Sequence, residues 1–175
     1  MRKRISAAAA LVLGGILVLA AFAAYGSADS GKKGKFKADR MSSYQEVPSV
    51  STTARGSFEA RISGSTIEYK LTYSGLSSSA LAAHIHLGQV GVNGGIAAFL
   101  CGGGGKPACP ASGTVTGTIT SSDVIGPASQ GISAGEISEL IDAMRAGVTY
   151  ANVHTSNFGG GELRGQIKAR GEDGD

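Results

Sequence analysis

The chain has 175 residues, enough for one domain with a buried core and short for two. Its 16 basic and 13 acidic side chains give a net charge of +3, but Arg2, Lys3 and Arg4 supply the whole excess. The balanced remainder excludes a nucleic-acid-binding class, which needs a clustered surplus of Lys and Arg, and 28 glycines against 4 prolines fit a loop-rich all-β domain rather than a low-complexity tract.

In chain order, MRKR opens with positive charge, and Ile5 to Ala24 run for 20 residues without a charge. Gly26-Ser27-Ala28 then places small residues where a signal peptidase cuts. This is the layout of a secretory signal over residues 1–28. The alternative is an uncleaved N-terminal anchor, since 20 helical residues at about 1.5 Å each roughly span a bilayer's hydrocarbon. Either reading puts the domain outside the cytoplasm, secreted or at the cell surface. In the anchor case the segment is the only tie to a membrane. Residues 29–40, containing GKKGKFK, are expected as a basic solvated linker, with a weak contact to anionic lipid or cell-wall polymer as the other reading.

The domain proper is expected over 41–169. FEARIS (58–63) alternates, with Phe58, Ala60 and Ile62 on one face, and TIEYKLTY (66–73) alternates again after a Gly64-Ser65 turn. Two alternating runs around a two-residue turn containing Gly predict a β-hairpin. Further strands are expected at 82–87, 96–100, 112–120, 150–155 and 162–168. Cys101 and Cys109 bracket the loop GGGGKPA and are the only cysteines. In an oxidising compartment they would join as a disulfide. Their other use, as soft metal ligands, lacks a C-x-x-C or a nearby histidine.

One helix is expected at about 134–146. Ser133 and Glu136 have capping-box spacing, and Ile137, Leu140, Ile141 and Met144 fall on one stripe. Gly147 can supply the left-handed cap. The polar tail at 170–175 is expected to fray.

The three histidines are His84, His86 and His154. His84 and His86 sit two apart, which on a strand puts both imidazoles on one face, away from Ile85. A hairpin of 150–155 with 162–168, both apolar sets inward, pairs Val153 with Leu163 and Ala151 with Gly165. It also sets Asn152 across from Arg164, Tyr150 across from Gln166, and His154 across from Glu162. If the strand 82–87 lies beside this hairpin, three imidazoles converge into a site for one zinc or copper ion with an open fourth position. Glu162 would then orient His154, with Asn152 and Arg164 as further supporting groups. The competing reading is a polar network in which each imidazole bonds to backbone or carboxylate and holds no ion. Copper or zinc is thus the only cofactor these residues suggest.

Other chemistry has no signature. GGGGK at 102–106 resembles a phosphate loop, but Leu100 stands where its first glycine should be and Pro107 where Ser or Thr is needed. No G-x-S-x-G elbow occurs. No catalytic residues are assigned.

AAHIHLGQVGVNGGIAAFLC, followed some fifty residues later by YANVHTSNFGGGELRGQI, resembles the CHRD domain, the repeat unit first named from chordin. FEARISGSTIEYKLTYSGLSS resembles the opening of that family, so the likeness covers residues 36–168. The histidines of both motifs, with Glu162, Arg164, Gly165 and Gln166, fall on positions of the family pattern. Leu87-Gly88 departs from the Gly-Pro that members often carry, and Gly159 from their Pro, both in turns. The resemblance implies an extracellular β-sandwich module, with an extracellular protein or glycan as its partner. A looser likeness to Cu/Zn superoxide dismutase rests on the H-x-H; with no fourth histidine, only a single-metal site could form. The reading adopted is an exported, all-β sandwich or barrel-like binding or structural module without evident catalytic machinery. The alternative is a mononuclear copper or zinc protein, redox-active in the manner of superoxide dismutase.

Overall fold

The computed structural model describes residues 34–170. The expected signal at 1–28, the start of the expected linker and the tail beyond residue 170 lie outside the described residues. The elements are β1 (Gly34–Ser42), β2 (Arg55–Ser63), β3 (Thr66–Ser74), β4 (Ala80–Leu87), β5 (Ile96–Cys101), β6 (Gly113–Ile119), α1 (Ile137–Arg145), β7 (Thr149–Thr155) and β8 (Leu163–Ala169). All strand pairs are antiparallel, in one sheet ordered β5-β4-β7-β8-β1-β2-β3-β6.

The sheet curls into a nearly closed barrel because alternate residues of its strands face one core. Phe58, Ile67, Leu71, Ile85, Leu100, Ile119, Val153, Leu163 and Ile167 are all fully buried. Each contributes roughly 1.5–3 kcal/mol over an exposed position. Their neighbours in sequence point outward, which is the period-2 pattern the strands were predicted from. The edges β5 and β6 meet across a seam. The Tyr69 hydroxyl on β3 donates to the Leu100 carbonyl at 2.7 Å, and Ala98 bridges Val124 just beyond β6. Lys106 fastens the intervening loop, donating to the Thr118 carbonyl at 2.8 Å and pairing with Asp123 at 2.7 Å.

The Cys101–Cys109 disulfide is present and staples that loop to β5. Replacing both cysteines by serine should lower stability by roughly 2.5 kcal/mol, because a closed loop this short restricts the unfolded chain by that much. Urea unfolding of the two proteins checks this; an unchanged midpoint would assign the seam to Tyr69 and Lys106 alone.

Residues 34–40, expected as the end of a linker, instead form most of β1. Phe36 and Ala38 alternate inward and are buried, while Lys35 and Lys37 point out. The lysines dominate the composition, but the strand period decides the structure. A bulge between Ala38 and Met41 then lets β1 turn past β8. There a Cβ on Gly165 would stand 2.5 Å from the Met41 Cγ, so only glycine permits the approach.

The helix starts three residues later than expected. The Glu136 carboxylate does accept from the Ser133 amide at 2.6 Å, but Gly135 at φ +88° separates that turn from the first helical residue, Ile137. Its buried stripe of Ile137, Leu140, Ile141 and Met144 closes the barrel near β8. Among the described residues, no helix is long and apolar enough to cross a membrane.

Candidate metal centre

β4 and β7 are direct neighbours, and their register sets His84 opposite Asn152, His86 opposite Tyr150 and Ala82 opposite His154. The β7–β8 hairpin has the predicted pairing, Asn152 with Arg164 and Tyr150 with Gln166. All three histidines therefore leave the sheet on its outer side. They are nevertheless not surface residues: His84 is 5% and His86 6% exposed, with His154 half-buried.

Two backbone carbonyls fix the tautomers. His86 Nδ1 lies 3.0 Å from the Gly94 carbonyl, and His154 Nδ1 lies 3.0 Å from the Gly159 carbonyl. A carbonyl only accepts, so each Nδ1 carries the proton and each Nε2 presents a bare lone pair. Those two Nε2 atoms face each other at 3.4 Å. Two lone pairs at that distance repel, and only a shared proton or a cation makes the contact favourable. His84 completes the group. Neither of its ring nitrogens has a hydrogen-bond partner among the described residues, though both are buried, and one ligand atom from each histidine lies within 4.8 Å of the others.

Burial disfavours the imidazolium form at all three. It holds His84 down to about 3, helped by the neighbouring rings of His154 and His86. His86 is held down to about 4 by burial, against the opposing bond to Gly94, and His154 is lowered by burial against its bond to Gly159. Neutral imidazole is the ligating form. An Nε2 pair at 3.4 Å also matches the separation of roughly 3.3 Å that two ligands keep around a tetrahedral ion with bonds near 2.0 Å. The His86–His154 pair thus has the ligand spacing for a single zinc or copper ion, and His84, whose ligand atom lies within 4.8 Å, joins it by drawing closer.

The surroundings hold this geometry. Phe99 packs its ring edge-on to His84 at 4.4 Å between centroids. Tyr150 stacks on His86 at 4.8 Å and 7°. The Arg164 guanidinium sits 3.5 Å over the other side of that stack, on Tyr150, and donates to the Gln89 and Val92 carbonyls at 3.1 and 2.7 Å and to Asn93 Oδ1 at 3.1 Å. Arg164 and Tyr150 together clamp the β4–β5 loop that carries Gly94. A Cβ at Gly94 would collide with the Leu87 carbonyl at 1.6 Å, so the His86 acceptor depends on a glycine there.

Two of the supporting residues act otherwise than predicted. Glu162 does not reach His154. Its carboxylate is filled by the Ser77 amide at 2.8 Å, the Ser77 hydroxyl at 2.9 Å and the Thr155 hydroxyl at 2.7 Å. It lies just outside β8, after Gly161 at φ +131°, and a fully buried carboxylate takes the three donors available there. Asn152, although opposite His84, turns its hydrogen bonds elsewhere; it donates to the Leu163 carbonyl at 2.9 Å and to the buried carboxyl of Glu46. Sequence reading missed Glu46, Phe99 and Gly94. Glu46 stands 106 positions from Asn152, beyond any local pattern, although the glycine-rich run after the H-x-H signalled a tight loop.

The chain matches the family model of the CHRD domain over residues 38–167, which include all three histidines. Neither a curated protein nor a solved structure matches it.

Proposed function

The chain belongs to the CHRD domain family, and from that premise we propose that it is an extracytoplasmic binding module whose built site is a mononuclear metal centre on His84, His86 and His154. One observation carries the metal: two Nε2 lone pairs converge at 3.4 Å beside a third, buried imidazole that has no hydrogen-bond partner among the described residues. Left without an ion, that arrangement costs the desolvation of His84 and the repulsion of the pair. Copper and zinc are the metals that imidazole suits, and with three histidines in the whole chain the centre holds one ion. Export is supported by the charged and apolar start of the sequence and by a disulfide, which persists in oxidising compartments. The outer partner, in this reading, is an extracellular protein or glycan.

Within the centre, the chain's own residues bind and orient. Gly94 and Gly159 hold the protons on Nδ1, so that Nε2 faces inward, and Phe99 and Tyr150 fix the ring planes. A bound ion would supply Lewis acidity or a redox couple. The test is metal retention by the untagged full chain in mild detergent, after incubation with copper or zinc and gel filtration. Wild type is expected to retain about one equivalent and the His84→Ala/His86→Ala variant none. Equal retention by both, or none by wild type, would reject the centre and leave the histidines as scaffold.

A further inference from the structure

We infer that the three-histidine centre is built for a monovalent ion, cuprous copper, in preference to divalent zinc. This rests on the reading of the histidines as a metal centre and adds which charge that centre accepts.

The argument is the charge around the site. The ligand group consists of neutral imidazoles alone; among the described residues, no carboxylate or thiolate joins it. The only two cysteines are spent in the disulfide. The nearest carboxyl groups in the supporting network are turned elsewhere, Glu162 to Ser77 and Thr155, and Glu46 to Asn152. The one full charge stacked toward the centre is positive. Arg164 covers Tyr150 at 3.5 Å, and Tyr150 in turn stacks on His86. The walls are aromatic, from Phe99 and Tyr150, and two of the three ligands are almost wholly buried.

In such a site the protein does not neutralise the ion. The cost of taking a charge out of water grows with its square, so a divalent ion costs about four times what a monovalent ion of the same size costs. Repulsion from the guanidinium doubles as well. A divalent ion would recover the difference by importing an anion as a fourth ligand, commonly hydroxide in open zinc sites. Cuprous copper needs no such help, because three imidazoles complete its shell. The close Nε2 pair, with the third ring drawn in, provides that shell without a further donor.

The experiment supplies the untagged full chain in detergent with equal cuprous copper and zinc, each in excess, under argon with ascorbate. The protein is desalted and both metals are counted. Wild type should retain copper over zinc by at least about tenfold, near one copper per chain, and His84→Ala should lose that copper. Zinc retained as well as copper or better would overturn the preference and leave the metal centre standing. Copper retained equally by His84→Ala would place it elsewhere and overturn the inference. Retention of neither metal would overturn both readings.

Discussion

Replacing Arg164 by methionine is expected to destabilise the protein by about 1–3 kcal/mol, the cost of leaving part-buried acceptors without their donor. Arg164 is 2% exposed and its guanidinium satisfies the carbonyls of Gln89 and Val92 and the side chain of Asn93. Methionine fills the stem's volume but donates nothing, so three acceptors in the β4–β5 loop lose their partner together. The cation over Tyr150 goes too. The consequence reaches the histidines through two contacts. Gly94, which accepts from His86, belongs to that loop, and Tyr150 stacks on His86. Metal affinity should therefore fall by roughly 10–100-fold, as when an outer support of a metal ligand is removed. Urea unfolding and metal competition measure the two effects. A loss of stability below about 1 kcal/mol would mean that water replaces the guanidinium in the loop. An unchanged affinity would show that Tyr150 holds His86 unaided.

The second large effect is a pH dependence carried by Glu46. Burial pushes its carboxyl up to about 7, against the lowering influence of the Asn152 amide, the Arg164 charge and the Val47 amide. Below the unfolded value of 4.5 the group is protonated in both states, and its contribution to stability is intact. As pH rises from there through 7, the unfolded chain ionises first and the folded state loses ground. The loss is complete above that window and amounts to roughly 3 kcal/mol at 1.36 kcal/mol per pH unit. Glu46→Gln removes the titration, so the stability difference between variant and wild type should shift in the variant's favour by that amount between pH 4 and pH 8. Taking the difference cancels His84 and His86, whose lowered values act in the opposite sense over an overlapping range. A difference that stays flat with pH would show Glu46 ionised in the fold, in a full ion pair with Arg164.

The two residues belong to one structure. Glu46 follows β1, Asn152 lies on β7 and Arg164 on β8, and together they tie the start of the domain to the loop over the histidines. A metal that binds only the folded chain adds stability by mass action, about 2.7 kcal/mol at a hundredfold excess over its dissociation constant. Metal binding at the histidine cluster, as proposed, would couple ligand to fold.

The sequence by itself determined whatever depends on neighbours along the chain. Alternation in FEARIS and TIEYKLTY specified the β2–β3 hairpin, whose pairs run from Arg55 with Ser74 to Ser63 with Thr66. The need to turn Ala151, Val153, Leu163 and Ile167 inward fixed the β7–β8 register, because a slip of one residue would expose all four. The same rule sent His84 and His86 to the face opposite Ile85. Two cysteines on either side of a short glycine-rich loop were enough for the disulfide. The β1 strand escaped notice because Lys35, Lys37, Asp39 and Arg40 mask the inward Phe36 and Ala38.

Only the tertiary structure decided what depends on which strands meet. That β4 lies beside β7 is a matter of topology, and without it the H-x-H and His154 are unrelated. Glu162 was placed correctly along the chain and wrongly in space. A buried carboxylate is claimed by the donors within reach, and two of its three came from Ser77, 85 positions away. The burial of the histidines has the same origin. A strand's period says which way a side chain points, but loops folded from elsewhere in the chain settle whether it points into water.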